Sequence, residues 1–155
     1  MKTKYKGFYE DFHVGDEFVS PARTLTEADI VAFAGISGDY NQLHMDAEYA
    51  KRGRFGARIA HGLLGLTIAS GLSLRIKELG EENVVAFLGL TWNYLKPVFI
   101  GDTLHVVQSV ADVRETKQPG VGLVVFAAAV INQHGERVQE GEWKLLYKMR
   151  AAQGA

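Results

Sequence analysis

The run Ser37-Gly38-Asp39-Tyr40-Asn41-Gln42-Leu43-His44-Met45-Asp46 is the densest polar cluster in the sequence. Asp39 supplies a carboxylate, and His44, five residues on, an imidazole. If the glycine-framed loop between them curls, both groups can reach one water molecule. A carboxylate and an imidazole span the range in which one group takes a proton while the other delivers one. Adding water across the double bond of an α,β-unsaturated thioester needs such a pair. One group deprotonates the water as it attacks Cβ, and a proton must also arrive at Cα. The same residues suit a plain turn, with Asp39 and Asn41 capping backbone N–H groups and His44 on the surface. Taken alone, the residues favour the turn.

Ala60-His61-Gly62 opens a second candidate feature. It stands where a long apolar segment begins, and the free N–H groups of a helix start carry partial positive charge. A glycine lets a substrate carbonyl come close to the backbone, so the Gly62 N–H could meet a developing enolate oxygen. A tight strand-to-helix junction would use Gly62 equally well. His61 also reads as an ordinary buried imidazole. Ser70 lies inside the same apolar segment without a Gly-x-Ser-x-Gly setting, so its hydroxyl is expected on a local carbonyl rather than as a nucleophile. His13, His105 and His134 have no ligand spacing, and no metal site or phosphate loop is expected. Lys51, Arg52, Arg54 and Arg58, with Lys96 further on, form a basic group that suits the phosphates of a carrier such as coenzyme A, or simply a solvated surface.

These groups need elements to hold them. Thr26 with Asp29 three residues on reads as a helix start, followed by an apolar stripe of Ala28, Val31, Phe33 and Ala34 and closed by Gly35 and Gly38. A short helix over Ala47–Lys51 follows Asp46. From His61 to about Lys77, small and apolar residues occupy every face until Arg75, which predicts a helix buried all round. Gly62, Gly65, Ala69 and Gly71 keep it thin. Four strands follow, over 84–95, 103–116, 123–132 and 136–149, joined by turns at Gly101-Asp102, Pro119-Gly120 and His134-Gly135. Short turns make consecutive strands antiparallel. A further strand near 16–23 could complete the sheet. The expected class is α+β, an antiparallel sheet wrapped around one central helix. Such a sheet leaves an open edge, and a homodimer would cover it.

With 155 residues, 47% hydrophobic and 23% charged, one domain is expected over 1–155, its core over about 12–149. There are no cysteines, which excludes disulfides and thiolate chemistry and fits the cytoplasm. A formal net charge of -1 gives no field for nucleic acid. The N-terminal basic residues lack the apolar run of a signal peptide, and the stretch from Gly62 to Leu74 is too short to cross a membrane. Residues 151–155 read as a loose tail.

The segment from Gly38-Asp39-Tyr40-Asn41-Gln42-Leu43-His44-Met45-Asp46 through Tyr49-Ala50 and Phe55-Gly56 to Ile59-Ala60-His61-Gly62-Leu63-Leu64 resembles the MaoC-like dehydratase family, which includes the R-specific enoyl-CoA hydratases. Lys96-Pro97-Val98-Phe99-Ile100-Gly101-Asp102-Thr103-Leu104 resembles the family's later strand-turn element. The resemblance runs from about Phe12 to Met149 and reverses the preference for a plain turn. It implies a hot-dog fold and a homodimer with the active sites near its interface. It also implies a thioester of coenzyme A, or of acyl carrier protein, as substrate, without metal or cofactor. It implies that Asp39 and His44 activate the water and that the Gly62 N–H serves the thioester oxygen. Ser70 would support Asp39, and Asn41 would organise the loop. His61 would support the site, and Arg52, Arg54, Arg58 and Lys96 would meet the substrate. Gln42 and Arg58 depart from the family pattern, where proline or a small neutral residue is frequent, and both stand where the acyl or pantetheine channel would run. A hot-dog thioesterase and a non-catalytic acyl-thioester binder are the competing readings. The first would direct water at the carbonyl, and the second would be expected to lack Asp39 or His44.

Overall fold

The computed structural model describes residues 6–151. The basic N-terminal residues 1–5 and the tail expected beyond Ala151 lie outside them. Helix α1 (Glu27–Ser37) begins at Thr26, whose side chain accepts from the Asp29 N–H while the Asp29 carboxylate accepts from the Thr26 N–H. Such a cap contributes about 1 kcal/mol. Gly38, at φ 75°, ends the helix in the left-handed region. The face that α1 buries is Ile30 and Ala34 with Phe33 packed beside them. Ala28 and Val31, expected in that stripe, point outward instead. The i, i+3, i+4 set that meets the core starts at Ile30.

Two short helices follow, α2 (Gln42–Met45) and α3 (Ala47–Lys51). The polar cluster is therefore not all loop. The Asn41 side chain accepts from the Leu43 N–H at 2.9 Å and starts a single helical turn that carries His44. Asp46 caps α3 in the same way, through the Tyr49 N–H.

Helix α4 (Gly62–Leu74) is the central helix. Leu64, Ile68, Ala69 and Leu72 pack into the core, but Leu63 and Leu74 are each 58% exposed, with Thr67 and Ser70 on the same outward face. In the single chain α4 is thus open along one stripe, not buried all round. Gly65 is needed where it stands, since a Cβ there would lie 2.2 Å from the Gln139 amide nitrogen. At Gly71 nothing lies within 4 Å of an added Cβ.

The sheet is formed by β1 (Glu17–Val19), β2 (Arg23–Thr24), β3 (Val84–Tyr94), β4 (Thr103–Glu115), β5 (Val121–Ile131) and β6 (Arg137–Lys148). Its order is β1-β4-β5-β6-β3, with β2 also pairing β4, and every pairing is antiparallel. Consecutive strands from β4 to β6 are hairpin neighbours, as expected. β3 and β4 are not: β3 pairs with β6. The segment from Leu95 to Asp102 therefore crosses the end of the sheet. Buried Asp102 fixes this crossing by accepting from the Phe99 N–H at 2.8 Å and from the Gln133 side chain at 2.8 Å. The single strand expected over 16–23 forms as two pieces, β1 and β2.

Alternation places Leu104, Val106 and Val110 of β4, Val124, Phe126 and Val130 of β5, and Trp143 and Tyr147 of β6 on the concave face. Phe126 pairs with Val110 on one side and Trp143 on the other, and its ring meets Phe12 and Tyr147. Burying such side chains contributes about 1.5–3 kcal/mol each. Helix α4 lies against this face, so the molecule is a hot dog in an α+β class. Among the described residues, no helix is long and apolar enough to cross a membrane.

Candidate active site

Asp39 directly follows Gly38, and its place is set by the end of α1. The Ser37 hydroxyl donates to the Phe33 carbonyl at 2.7 Å and accepts from the Asp39 N–H at 3.2 Å. One carboxylate oxygen of Asp39 accepts from the Asn41 N–H at 3.1 Å, so Asn41 organises this loop from both of its ends. The other oxygen stands 4.0 Å from His44 Nε2. That is too long for a hydrogen bond, and it is a separation that one water molecule bridges. His44 Nδ1 lies 2.8 Å from the Ile59 carbonyl. The carbonyl can only accept, so Nδ1 carries the proton in the neutral ring and Nε2 is left with its lone pair facing Asp39. The Asp39 side chain is 52% exposed and that of His44 12%, so the pair opens to incoming ligand from the carboxylate side.

Behind the pair stands His61, 3% exposed. Its Nε2 donates to the Asp39 carbonyl at 2.9 Å, and its ring stacks on His44 with centroids 3.9 Å apart at 28°. The Phe33 ring packs on it as well, with centroids 5.0 Å apart. His61 thus ties the Asp39 loop to the start of α4 and gives His44 a flat wall. The donor atoms of Asp39, His44 and His61 lie within 4.8 Å of one another, close enough for a metal by proximity alone. Ring orientation is against that use. Each imidazole has one nitrogen committed to a carbonyl, and two stacked rings direct their remaining lone pairs along nearly parallel planes. An ion about 2.0–2.1 Å from each nitrogen needs them to converge.

His61 is also the N-cap of α4, so Gly62 is its first residue. Among the described residues no acceptor faces the Gly62 N–H, whereas the N–H groups of Leu64 and Gly65 turn back to the His61 carbonyl. The Tyr94 ring lies over the Gly62 Cα, where a Cβ would be 2.9 Å from Cε1. Gln139, 2% exposed, donates to the Gly62 carbonyl at 3.2 Å and accepts from Trp92 Nε1 at 3.0 Å. The first peptide of α4 is therefore held from the sheet side. A cleft of about 400 Å³ opens here, lined by His44, Gly62, Tyr94, Arg54 and Lys96 among others.

The structure brings four of the expected residues to one cleft and leaves others apart. Arg52 and Arg58 do not line it. Arg58 is ion-paired to Glu27 at 2.7 Å and pins its loop to α1. Lys96 reaches the cleft but is paired to Glu136 at 2.6 Å. Its ammonium, with the Asn132 amide, holds the Glu136 carboxyl below the usual carboxylate range. Arg54 stands over the Phe55 ring at 5.9 Å. The expected basic patch is thus a set of separate contacts. Ser70, expected to support Asp39, is not brought to it. Its hydroxyl donates to the Thr67 carbonyl at 2.8 Å on the exposed face of α4, as a serine within a helix readily does. Gln139, Tyr94 and Phe33 were not expected at the site. A glutamine on the concave face of an apolar strand was the one available signal, and it becomes visible only once the register of β6 is known.

A shielded imidazole and a helix start line one cleft of a hot dog, and an open carboxylate stands 4.0 Å from that imidazole, an arrangement that can support general acid–base chemistry on a carbonyl compound. Residues 11–130 match the family described as MaoC like domain. The chain belongs to the MaoC-like dehydratase family, and its relatives include hydro-lyases named 3-hydroxybutyryl-CoA dehydratase and (R)-specific enoyl-CoA hydratase. It is 39% identical to Protein MaoC of Klebsiella aerogenes over 103 residues, 66% of this chain but 30% of that protein. It is 35% identical to an (R)-specific enoyl-CoA hydratase of Rhodospirillum rubrum over 104 residues, 66% of this chain and 69% of that one. The structure of a MaoC-like dehydratase from Rhodospirillum rubrum superposes with a TM-score of 0.84 at 30% identity, covering 94% of this chain and 99% of that chain.

Proposed function

We propose that the protein hydrates enoyl thioesters, and dehydrates 3-hydroxyacyl thioesters, of coenzyme A, with Asp39 and His44 activating the water. The observation that carries this reading is the 4.0 Å gap between the Asp39 carboxylate and His44 Nε2, beside the free Gly62 N–H. A water in the gap gives its hydroxyl to Cβ and loses a proton to the pair. The pair returns a proton to Cα, so the bond that breaks is the Cα–Cβ π bond and the thioester stays intact. The thioester oxygen gains negative charge as water adds, and the Gly62 N–H meets it with the partial positive charge of the helix start. His61 holds both partners. Arg54 and Lys96 lie on the cleft wall where a phosphorylated carrier arm would pass. Water and proton arriving from one face give syn addition and, by likeness to the (R)-specific relative, an (R)-3-hydroxyacyl product. The proposed setting is the cytoplasm, which a chain without cysteines fits.

The test is to follow crotonyl-CoA by enoyl absorbance and by free thiol together. Hydration removes the absorbance without releasing thiol. Release of thiol would mean thioester hydrolysis, and no change in either would mean a binder.

The active form is proposed to be a homodimer. β3 is an edge strand, and on it Val85, Phe87, Leu88 and Tyr94 are 43–56% exposed, while α4 has an open stripe of its own. An apolar edge of this kind calls for a cover. Light scattering at micromolar concentration is expected to give twice the chain mass, and the mass of a single chain would contradict it.

A further inference from the structure

The start of α4 is held differently from the starts of the helices before it. The side chains of Thr26, Asn41 and Asp46 each cap a helix by accepting a backbone N–H, whereas His61, the N-cap of α4, makes no such bond. A side-chain cap takes up an N–H of the first turn. In α4 the N–H groups of Gly62 and Leu63 meet no acceptor among the described residues. The anchor is instead on the carbonyl side. Gln139, 2% exposed on β6, donates from Nε2 to the Gly62 carbonyl at 3.2 Å, and its Oε1 accepts from Trp92 Nε1 at 3.0 Å. An indole N–H only donates and a peptide carbonyl only accepts, so these two partners fix which way the carboxamide points. Gly65 makes room for it, one turn along from Gly62. Tyr94, the register partner of Gln139 on β3, bears on Gly62 from the next strand. Gln139 and Gly62 both line the cleft that His44 enters.

Resting on the hydratase reading above, we propose that Gln139 is a positioning residue for the oxyanion donor: it fixes the first peptide of α4 through its carbonyl and leaves the Gly62 N–H aimed and unspent. Glycine has the least restricted backbone of any residue, and the first N–H of a helix has no intrahelical bond to hold it. An ordinary cap would cure that freedom by occupying a donor of the first turn. Gln139 cures it from the other end of the residue. The bonds also run head to tail, from the Trp92 N–H to the carboxamide and from the carboxamide to the Gly62 carbonyl, and each polarises the next. Donors to an oxyanion act by needing no reorganisation as charge develops. A residue that removes their freedom therefore contributes to kcat more than to substrate affinity. Glutamine suits the position because it accepts from the indole and donates to the carbonyl at once. Methionine would fill the same space with neither bond, and an ionised glutamate could only accept.

The test uses the natural protein, Gln139→Met, Gln139→Glu and Trp92→Phe. The last removes only the indole N–H and keeps a ring against Trp143, so it serves should a Gln139 variant fail to fold. With crotonyl-CoA, Gln139→Met is expected to lower kcat by about ten- to a hundredfold with KM little changed, the scale of a misplaced reacting geometry, and Trp92→Phe to lower it less. Gln139→Glu carries a pH signature. Its protonated carboxyl donates to the Gly62 carbonyl and accepts from Trp92 as the amide does. Its ionised form has no donor and sets a negative charge beside the developing enolate. The ratio of natural to variant rate is therefore expected to widen as pH rises. Asp39, His44, Arg54, Tyr94 and Lys96 titrate at or beside the cleft in both proteins and so drop out of that ratio. The third readout is the carbonyl stretch of bound butyryl-CoA, by difference infrared spectroscopy. It is expected below its value in water for the natural protein and nearer to that value in Gln139→Met. A natural kcat in Gln139→Met with only its melting temperature lowered, or a ratio for Gln139→Glu that does not change with pH, overturns the proposal. So does a carbonyl stretch that the Gln139 and Trp92 variants leave unmoved. Butyryl-CoA is saturated, so this readout does not depend on turnover. Failure of the natural protein to hydrate crotonyl-CoA would sink the hydratase reading, and the infrared shift would still decide the role of Gln139.

Discussion

Asp39→Asn and His44→Ala are each expected to lower kcat for an enoyl-CoA by about 10²-fold or more, the scale on which general acid–base groups act. The amide keeps the shape of the carboxylate and its contact with the Asn41 N–H, but it cannot take a proton from water. The Asp39 side chain is half in solvent, so folding should not depend on its charge. Removing the His44 ring costs more locally, since it stacks on His61 and is bonded to the Ile59 carbonyl. Circular dichroism and melting curves separate that loss from loss of rate. Because both groups act on one water, the double variant should fall well short of the product of the single effects. Near-normal turnover in His44→Ala would remove the imidazole from the mechanism.

The second large effect concerns a backbone atom. Gly62→Pro removes the N–H that faces no acceptor among the described residues, and losing one donor to a developing oxyanion typically costs about 10²–10³ in kcat. Proline is tolerated here better than almost anywhere else in a helix. The first helical position has no intrahelical hydrogen bond to lose. The preceding residue, His61, already has the extended φ of −55° and ψ of 138° that proline requires of its neighbour. Gly62→Ala is the necessary companion, because any Cβ at this position pushes on the Tyr94 ring. Both variants carry that clash, and only the proline lacks the donor. The expected result is that the proline variant is at least about tenfold slower than the alanine variant with melting temperatures alike. Equal rates would mean that the ring displacement accounts for the loss and that the N–H is not used.

Much of this site is written locally in the chain, and that part was legible. The capping pair Thr26 and Asp29, the glycine after α1, the Asp39 to His44 spacing and the His61-Gly62 start of α4 are all short-range features. Each forms where residue type and spacing place it. What the residues did not carry is long-range. β3 pairs with β6 rather than its neighbour in sequence, because the crossing from Leu95 to Asp102 is held by Gln133, some thirty residues away. Only that pairing puts Tyr94 and Gln139 against Gly62. Arg58 reads as a free cation in a basic run, yet its partner Glu27 lies on a different element. Ser70 reads as buried because α4 is apolar on every face, but one stripe of the helix has no cover among the described residues. An apolar helix surface announces burial without saying whether its own chain or another covers it.

The central claim is that a water held between Asp39 and His44 adds to one face of an enoyl thioester oriented by the Gly62 N–H. The most direct measurement is the configuration of the product formed from crotonyl-CoA, resolved as the two 3-hydroxybutyryl-CoA enantiomers. The result expected is the (R) enantiomer in large excess, with that activity lost in Asp39→Asn. Formation of mainly the (S) enantiomer, or of (R) product at an undiminished rate in the Asp39→Asn variant, would contradict it.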